Sequence, residues 1–156
     1  MITNNDRSVE ITLANRIGYE RVAMACSASF AQLHGFSKER IEDLKTVVGE
    51  ASVNAMQHGN RGRSDARVKV SLKCDQHTIT VQVVDEGNGI EAFPPLPDIE
   101  KIINEDKLIT GFGLFLMKAL TDQVEFSKLA DDGHMVKMTI NMKEQVNNAE
   151  QECNQA

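Results

Sequence analysis

The sequence predicts an α+β domain, a two-layer sandwich whose mixed, mostly antiparallel sheet carries helices on one face. Two observations support this fold class. Apolar residues recur at helical spacing in residues 17–59 and 113–121, and they alternate with polar residues elsewhere. The later alternating segments are joined by short turns rather than by helices, which is typical of antiparallel pairing.

Five segments show the period-two alternation of half-buried strands. In chain order they are Ser8–Ala14, 66–74, 77–84, 124–129 and 134–142. The turn Asp75-Gln76 separates the second from the third, and Asp131-Asp132-Gly133 separates the last two. We therefore expect two hairpins and one separate N-terminal strand.

The helices are predicted from spacing and from capping residues. In residues 17–33 the spacing predicts an apolar stripe formed by Val22, Cys26, Ser29/Phe30 and Leu33. Ser37 is expected to cap a second helix that ends near Gly59. Its predicted buried side consists of Ile41, Leu44, Val47, Val48, Ala51 and Ala55. Residues 113–121 form the third helix.

Composition restricts the class of protein. The 156 residues, 41% hydrophobic and 26% charged, suit one globular domain, assigned to residues 1–143 with a polar flexible tail at 144–156. A net charge of −6 argues against direct nucleic-acid binding. No apolar run approaches the ~20 residues of a membrane span, and residues 1–7 are polar, so we expect no membrane association and a cytoplasmic protein. Cys26, Cys74 and Cys153 are expected to be reduced thiols.

A first motif lies on the second helix, in Glu50-Ala-Ser-Val-Asn54. Glu50 and Asn54 are one turn apart and share a helical face. The carboxylate can accept a proton from an attacking hydroxyl, and the carboxamide oxygen is a hard ligand suited to Mg²⁺. Taken alone, the pair is better explained as two solvated polar residues on an amphipathic helix.

Two glycine motifs follow. The first, Asp85-Glu-Gly87-Asn-Gly89, lies at the end of an apolar strand, where glycines allow a sharp turn and a close approach to a ligand. The Asp85 carboxylate can accept a hydrogen bond there from the exocyclic amino group of a base. Gly111-Phe-Gly113 is predicted to precede the third helix, and a helix N-terminus favours anions. Taken alone, each is also explained as an ordinary turn or helix start.

The order and spacing of the three motifs resemble the N, G1 and G2 boxes of the gyrase/Hsp90/histidine-kinase/MutL (GHKL) ATPases, which share the Bergerat ATP-binding fold. Over about residues 8–143 the chain resembles, more closely, the anti-sigma factor/serine-protein kinases of bacterial partner-switching systems. The runs that carry this likeness include Asn54-Ala-Met-Gln-His58-Gly59-Asn60 and Gly113-Leu-Phe-Leu-Met117.

The resemblance implies residue roles. Glu50 would be the catalytic base, Asn54 the Mg²⁺ ligand and Asp85 the adenine-binding residue. The remaining residues implied to bind ATP are Gly87, Gly89, Thr110, Gly111, Phe112 and Gly113. Residues 91–110 would form a lid.

The resemblance also implies partners and a reaction. The chain would transfer the ATP γ-phosphate to a serine or threonine of a STAS-domain anti-sigma-factor antagonist. It would also sequester a sigma factor or another output protein, and it would form a homodimer. Two alternatives stay open: a non-catalytic ATP-binding module that only sequesters its partner, and a switch kinase acting on a STAS scaffold protein.

Some residues depart from the family pattern. Phe112 stands where Arg or Leu is usual, and His134 stands where many relatives have Thr. The lid contains no Arg, so any positive charge near the γ-phosphate would come from Lys101, Lys107, Arg61 or Arg63. His58 is expected to interact with the C-terminal end of its helix rather than to take part in chemistry.

Overall fold

The computed structural model describes residues 6–87 and 108–142, and these residues form one sheet with helices packed against it. The strands are β1 (Ser8–Ala14), β2 (Arg67–Asp75), β3 (Thr78–Val84), β4 (Gln123–Lys128) and β5 (His134–Asn141). The α-helices are α1 (Glu20–Leu33), α2 (Lys38–Asn54) and α3 (Leu108–Leu120). The strand order is β1-β2-β3-β5-β4, and every described pairing is antiparallel. The predicted α+β class is confirmed.

The core lies between one face of the sheet and the helices. In β2 the buried residues are Val68, Val70, Leu72 and Cys74, as the alternation predicted. Val81 of β3 lies between Leu72 of β2 and Met138 of β5 in the register, so the three central strands bury side chains on the same face. Apolar side chains from this face and from α2 form one cluster.

Helix α2 forms as predicted and then changes pitch. The Ser37 side chain caps it by accepting from the backbone N of Arg40 (3.2 Å). After Asn54 the chain continues as a π-helical turn, Ala55–Gly59, in which the N of Asn60 donates to the O of Ala55 (2.7 Å). Such turns are rare and occur frequently at functional sites. This one was not predicted, because the apolar spacing continues through it.

The predicted buried stripe of α1 is confirmed at Phe30 and in part at Cys26, which packs against the core, and it is wrong at Val22, Ser29 and Leu33. Val22 and Leu33 are 54% and 82% exposed, whereas the helix buries Ala23, Ser27, Phe30 and Ala31. Small residues allow α1 to approach α2 closely, and a methyl group at Gly49 of α2 would lie only 2.9 Å from the Sδ of Met24. Side-chain size, as well as hydrophobicity, therefore decides which residues of α1 face α2.

A buried arginine attaches the C-terminal end of α3 to the start of α2. Arg40 donates through Nη2 to Oδ2 of Asp122 (2.6 Å) and through Nε to the backbone O of Asn141 (3.0 Å). Nη1 reaches Oδ2 of Asp43 (3.2 Å) and the backbone O of Leu120 (3.5 Å). Nearly every donor of the guanidinium is thus used, which is how a charge becomes tolerable inside a fold. The cluster fixes where α3 lies relative to α2.

Cys26 and Cys74 are free thiols, and burial raises the pKa of both. Cys153, the tail at 144–156 and most of the predicted lid lie outside the described residues. Within residues 6–87 and 108–142, no helix is long and apolar enough to cross a membrane.

Candidate functional site

Two of the predicted site residues meet a glycine of α3. Glu50 and Asn54 project from α2 toward Gly113, which is buried. A methyl group at Gly113 would lie 2.7 Å from Oε2 of Glu50 and 3.5 Å from Nδ2 of Asn54. Helix α3 therefore approaches the two polar side chains this closely because Gly113 has no side chain. We call Glu50, Asn54 and Gly113 the helix end of the site.

The predicted boundary of α3 is wrong. The helix begins at Leu108, so Gly111 and Gly113 lie inside its first turns rather than before it. Glycine costs about 1 kcal/mol in a helix interior, which the apolar residues around this pair offset by packing. Thr110 and Gly111 lie in α3, and only their backbone is described. Phe112 is 47% exposed and stacks on Phe115 with ring centroids 6.0 Å apart.

Asp85 lies at the opposite end of the site, directly after β3, and it is only 8% exposed. Two glycines pack against this segment with no room for a side chain. A methyl group at Gly59 would overlap the Asp85 carboxylate, and one at Gly87 would overlap the backbone carbonyl of Gly59. The π-helical turn and the end of β3 are therefore in direct backbone contact. We call Gly59, Asp85, Gly87 and His134 the strand end of the site.

Backbone and side-chain donors hold the Asp85 carboxylate. Its Oδ1 accepts from the N of Gly87 (3.0 Å), the N of His134 (3.1 Å) and Nδ1 of His134 (3.3 Å). The backbone N of Asp85 in turn donates to the O of His134 (3.0 Å). Gly133, with φ +119°, turns the chain into β5 where a methyl group would overlap the backbone O of Asp85. The first residue of β5 is thus tied to the end of β3.

Asn60 supports the site, although the sequence predicted no role for it. It is fully buried, and its Nδ2 donates to the O of Arg67 (2.9 Å) and to Oδ1 of Asn15 (3.2 Å). Its Oδ1 accepts from the N of Glu86 (2.8 Å). These bonds join the ends of β1 and β3 and the start of β2 behind the strand end. The signals for it in the sequence were its position directly after Gly59 and its place in the run that carries the family likeness.

Of the basic residues considered for phosphate contact, the structure describes Arg61 and Arg63. Arg63 donates to the backbone O of Asn60 (3.3 Å) and of Glu86 (3.2 Å), so its guanidinium lies beside the strand end. Arg61 is exposed in the turn that follows, with φ +52°. His58 is half-buried in the π-helical turn. Lys101, Lys107, Gly89 and the lid residues 91–107 lie outside the described residues.

The two ends of the site are joined by one continuous segment, α2 and its π-helical turn, which runs from Glu50 through Asn54 to Gly59. The helix end offers a carboxylate and a carboxamide, which can accept a proton and ligate a hard cation. The strand end offers a buried carboxylate held in one orientation, which can accept from a donor on a ligand. An elongated ligand with a planar polar group at one end and negative charge at the other would match this arrangement.

Comparisons with known proteins show what the chain is similar to. The sequence profile described as a histidine kinase-like ATPase domain matches residues 13–140. The serine-protein kinase RsbW of Listeria innocua is 32% identical over 155 residues, covering 96% of this chain and 97% of the relative. The anti-sigma F factor of Clostridium beijerinckii is 30% identical over 151 residues, covering 91% and 96%.

A solved structure has the same fold. It contains the RsbU and RsbW domains of a Mycobacterium tuberculosis protein, and it matches with a TM-score of 0.58 at 19% identity. The match covers 86% of this chain and 32% of that one. At this identity the likeness concerns the fold.

Proposed function

Since the chain belongs to the histidine kinase-like ATPase domain family, we propose that it is an ATP-dependent serine/threonine-protein kinase and anti-sigma factor. Its substrate is a STAS-domain anti-sigma-factor antagonist, and it sequesters a sigma factor or another output protein. Relatives named serine-protein kinase RsbW and anti-sigma F factor, matched over most of both chains, support this. One observation carries the proposal: Glu50 and Asn54 meet at Gly113, on the same segment that packs against Asp85.

The strand end supplies base recognition in this proposal. Asp85 accepts from the exocyclic amino group of adenine, and a guanine carbonyl at that position would repel it. The close packing of Gly59 and Gly87 keeps this carboxylate at the wall of the pocket. The fit of the residues to ATP rests on this geometry: a buried carboxylate packed against two glycines lies at one end of the segment that carries Glu50 and Asn54.

The helix end supplies the chemistry. Bound ATP with Mg²⁺ provides the transferable γ-phosphoryl group. The Asn54 carboxamide oxygen is the protein ligand for Mg²⁺, whose remaining positions suit water and phosphate oxygens. Glu50 accepts the proton of the attacking serine or threonine hydroxyl. Because Gly113 has no side chain, it leaves space beside the Oε2 of Glu50. The nucleotide also contacts Gly89, Thr110, Gly111 and Phe112 in this proposal.

The assembly and location follow from the same assignment. We place the chain in the cytoplasm, where ATP and sigma factors meet, and we propose that it works as a homodimer. Equilibrium sedimentation of the purified protein tests the dimer directly. A monomer at micromolar concentration would remove that part of the proposal and leave the kinase assignment unchanged.

The experiment that tests the function uses γ-labelled ATP, Mg²⁺ and the STAS-domain protein encoded in the same genome. We expect label on a serine or threonine of that protein. Glu50→Gln should lower the transfer rate by about 10²–10⁴-fold, the usual contribution of a general base. Glu42→Gln is the matched control, because Glu42 lies on the same helix, is exposed and pairs with Lys45 (3.1 Å).

Two results would contradict the proposal. Transfer by Glu50→Gln at the wild-type rate would remove Glu50 as the base. Absence of label, with ATP binding measured by calorimetry, would favour the non-catalytic sequestering module.

A further inference from the structure

The two oxygens of the Asp85 carboxylate have different surroundings. Oδ1 accepts from three donors, namely the backbone N of Gly87, the backbone N of His134 and Nδ1 of His134. Oδ2 is turned toward Gly59, where a methyl group would overlap it. Within the described part of the chain, no hydrogen bond reaches Oδ2. Among the described residues the protein therefore donates hydrogen bonds to one oxygen, and the other oxygen lies against Gly59, which has no side chain.

His134 provides two of those three donors, and they differ in origin. Its backbone N lies at the start of β5, and any residue at this position would supply that donor. The ring donor depends on the side chain. A carboxylate oxygen can only accept, so the proton of this contact is carried by Nδ1. The contact is buried on both sides, since His134 is 6% and Asp85 8% exposed. A charge-assisted hydrogen bond is strongest where water is excluded.

We propose that His134 is a positioning residue for base recognition. Its Nδ1–H fixes the rotation of the Asp85 carboxylate about its terminal bond, so that Oδ1 is taken up by the protein and Oδ2 faces the exocyclic amino group of adenine. The terminal torsion of an aspartate is broad, and the backbone donors of Gly87 and His134 alone leave it less restricted. This inference rests on the proposed function, because it requires that Asp85 reads the base.

The two possible roles of His134, orienting Asp85 for base recognition and supporting the fold in general, predict different effects on nucleotide binding. If His134 only stabilised the strand end, its removal would lower the affinity for every nucleotide by a similar factor. If it orients Oδ2, its removal weakens only the part of the affinity that depends on the amino group. A nucleotide pair that differs in this group alone separates the two roles.

The test is calorimetry with ATP and with purine riboside triphosphate, which lacks the 6-amino group, in the presence of Mg²⁺. We expect the wild-type chain to prefer ATP. In His134→Leu this preference should fall about tenfold, which corresponds to 1.4 kcal/mol. In His134→Asn it should stay within about twofold of wild type, because an Asn amide nitrogen can take the place of Nδ1 on a side chain shaped like Leu.

Each other result overturns the inference. If His134→Leu lowers the affinity for both nucleotides equally, His134 only supports the fold of the strand end. Loss of the preference in His134→Asn would show that the Nδ1 donor is not what matters, and this variant still decides if His134→Leu fails to fold. A wild-type chain that binds both nucleotides equally would remove Asp85 as the base reader and the inference with it. The phosphotransfer assay would then show whether the kinase assignment survives.

Discussion

The strand end and the helix end of the site are built in different ways. At the strand end, the Asp85 carboxylate is bonded to backbone and ring donors of two other segments, and two glycines pack against its surroundings without space for a methyl group. At the helix end, Glu50 and Asn54 are half-buried side chains on a helix whose core contacts lie on another face, and they meet α3 at Gly113. In the proposed function, base recognition thus depends on contacts that also hold the fold together, whereas the chemistry depends on side chains that can be substituted without disturbing the fold.

The largest effect is expected for Gly87→Ala at the strand end. The new methyl group would overlap the backbone carbonyl of Gly59, so backbone rather than a flexible side chain must move. We expect a loss of about 3 kcal/mol in the free energy of unfolding, at the upper end for overpacking. ATP affinity should fall by roughly 100-fold, equivalent to about 3 kcal/mol. Thermal unfolding and calorimetry measure the two losses.

The control for Gly87→Ala is Gly62→Ala. Gly62 has φ +69° and open space around it, so the substitution adds backbone strain without a collision. If Gly87→Ala destabilises no more than Gly62→Ala, the backbone contact between the π-helical turn and the end of β3 is not limiting.

The next effect is expected for Asn54→Ala at the helix end. Loss of the proposed Mg²⁺ ligand should lower phosphotransfer about 100-fold at fixed Mg²⁺, because transition-state charge stabilisation by a bound metal contributes several kcal/mol. The melting temperature should change little, since Asn54 is only half-buried. A titration of the transfer rate with Mg²⁺ is the measurement. Gln57→Ala, at an exposed position of the π-helical turn, is the matched control and should titrate like wild type.

A smaller effect is expected for Gly113→Ala, the same substitution at the other end of the site. The methyl group would lie 2.7 Å from Oε2 of Glu50, and that side chain can swing away. Ala also favours a helix over Gly by about 1 kcal/mol, so stability should be unchanged or higher. Transfer should fall about tenfold because Glu50 is displaced. A melting temperature lowered as far as in Gly87→Ala would contradict the difference between the two ends.

The smallest effect is expected for Arg63→Ala. Its guanidinium contacts the backbone O of Asn60 and of Glu86 beside the strand end, on an exposed residue. Transfer at saturating ATP should stay within about twofold of wild type, as is usual for a surface substitution. Single-turnover kinetics with labelled ATP measure this transfer rate. A fall of tenfold or more would place Arg63 at the transferred phosphate after all.

The strands and α2 could be predicted because local patterns determine them. In Ser8–Ala14 the alternation predicted the strand bounds that the structure has, and Ser37 marked the start of α2. The stripe of α1 was wrong at Val22 and Leu33 for a physical reason: most of the buried face consists of small residues such as Ala23 and Ser27, which a hydrophobic pattern hardly registers. The start of α3 failed because two glycines were taken as a boundary.

The supporting residues of the site could not be predicted from local patterns. The burial of Asn60 depends on partners at Arg67 and Glu86, and that of Arg40 on Asp122 and Asn141. Polar residues are buried where distant segments supply partners, and those distances are fixed only by the fold. The spacing of Glu50 and Asn54 on one helical face was visible in the sequence, and the structure adds that Gly113 meets both.

The most direct test of the two-ended site is ATP affinity, measured by calorimetry with Mg²⁺, in Asp85→Asn and in Glu50→Gln. The carboxamide introduced by Asp85→Asn would keep an oxygen for the donors of Gly87 and His134 but place an amide donor toward the amino group of adenine. We expect Asp85→Asn to lose ATP affinity by about tenfold or more and Glu50→Gln to stay within about twofold of wild type. Wild-type affinity in Asp85→Asn, or an equal loss in Glu50→Gln, would contradict the division of the site.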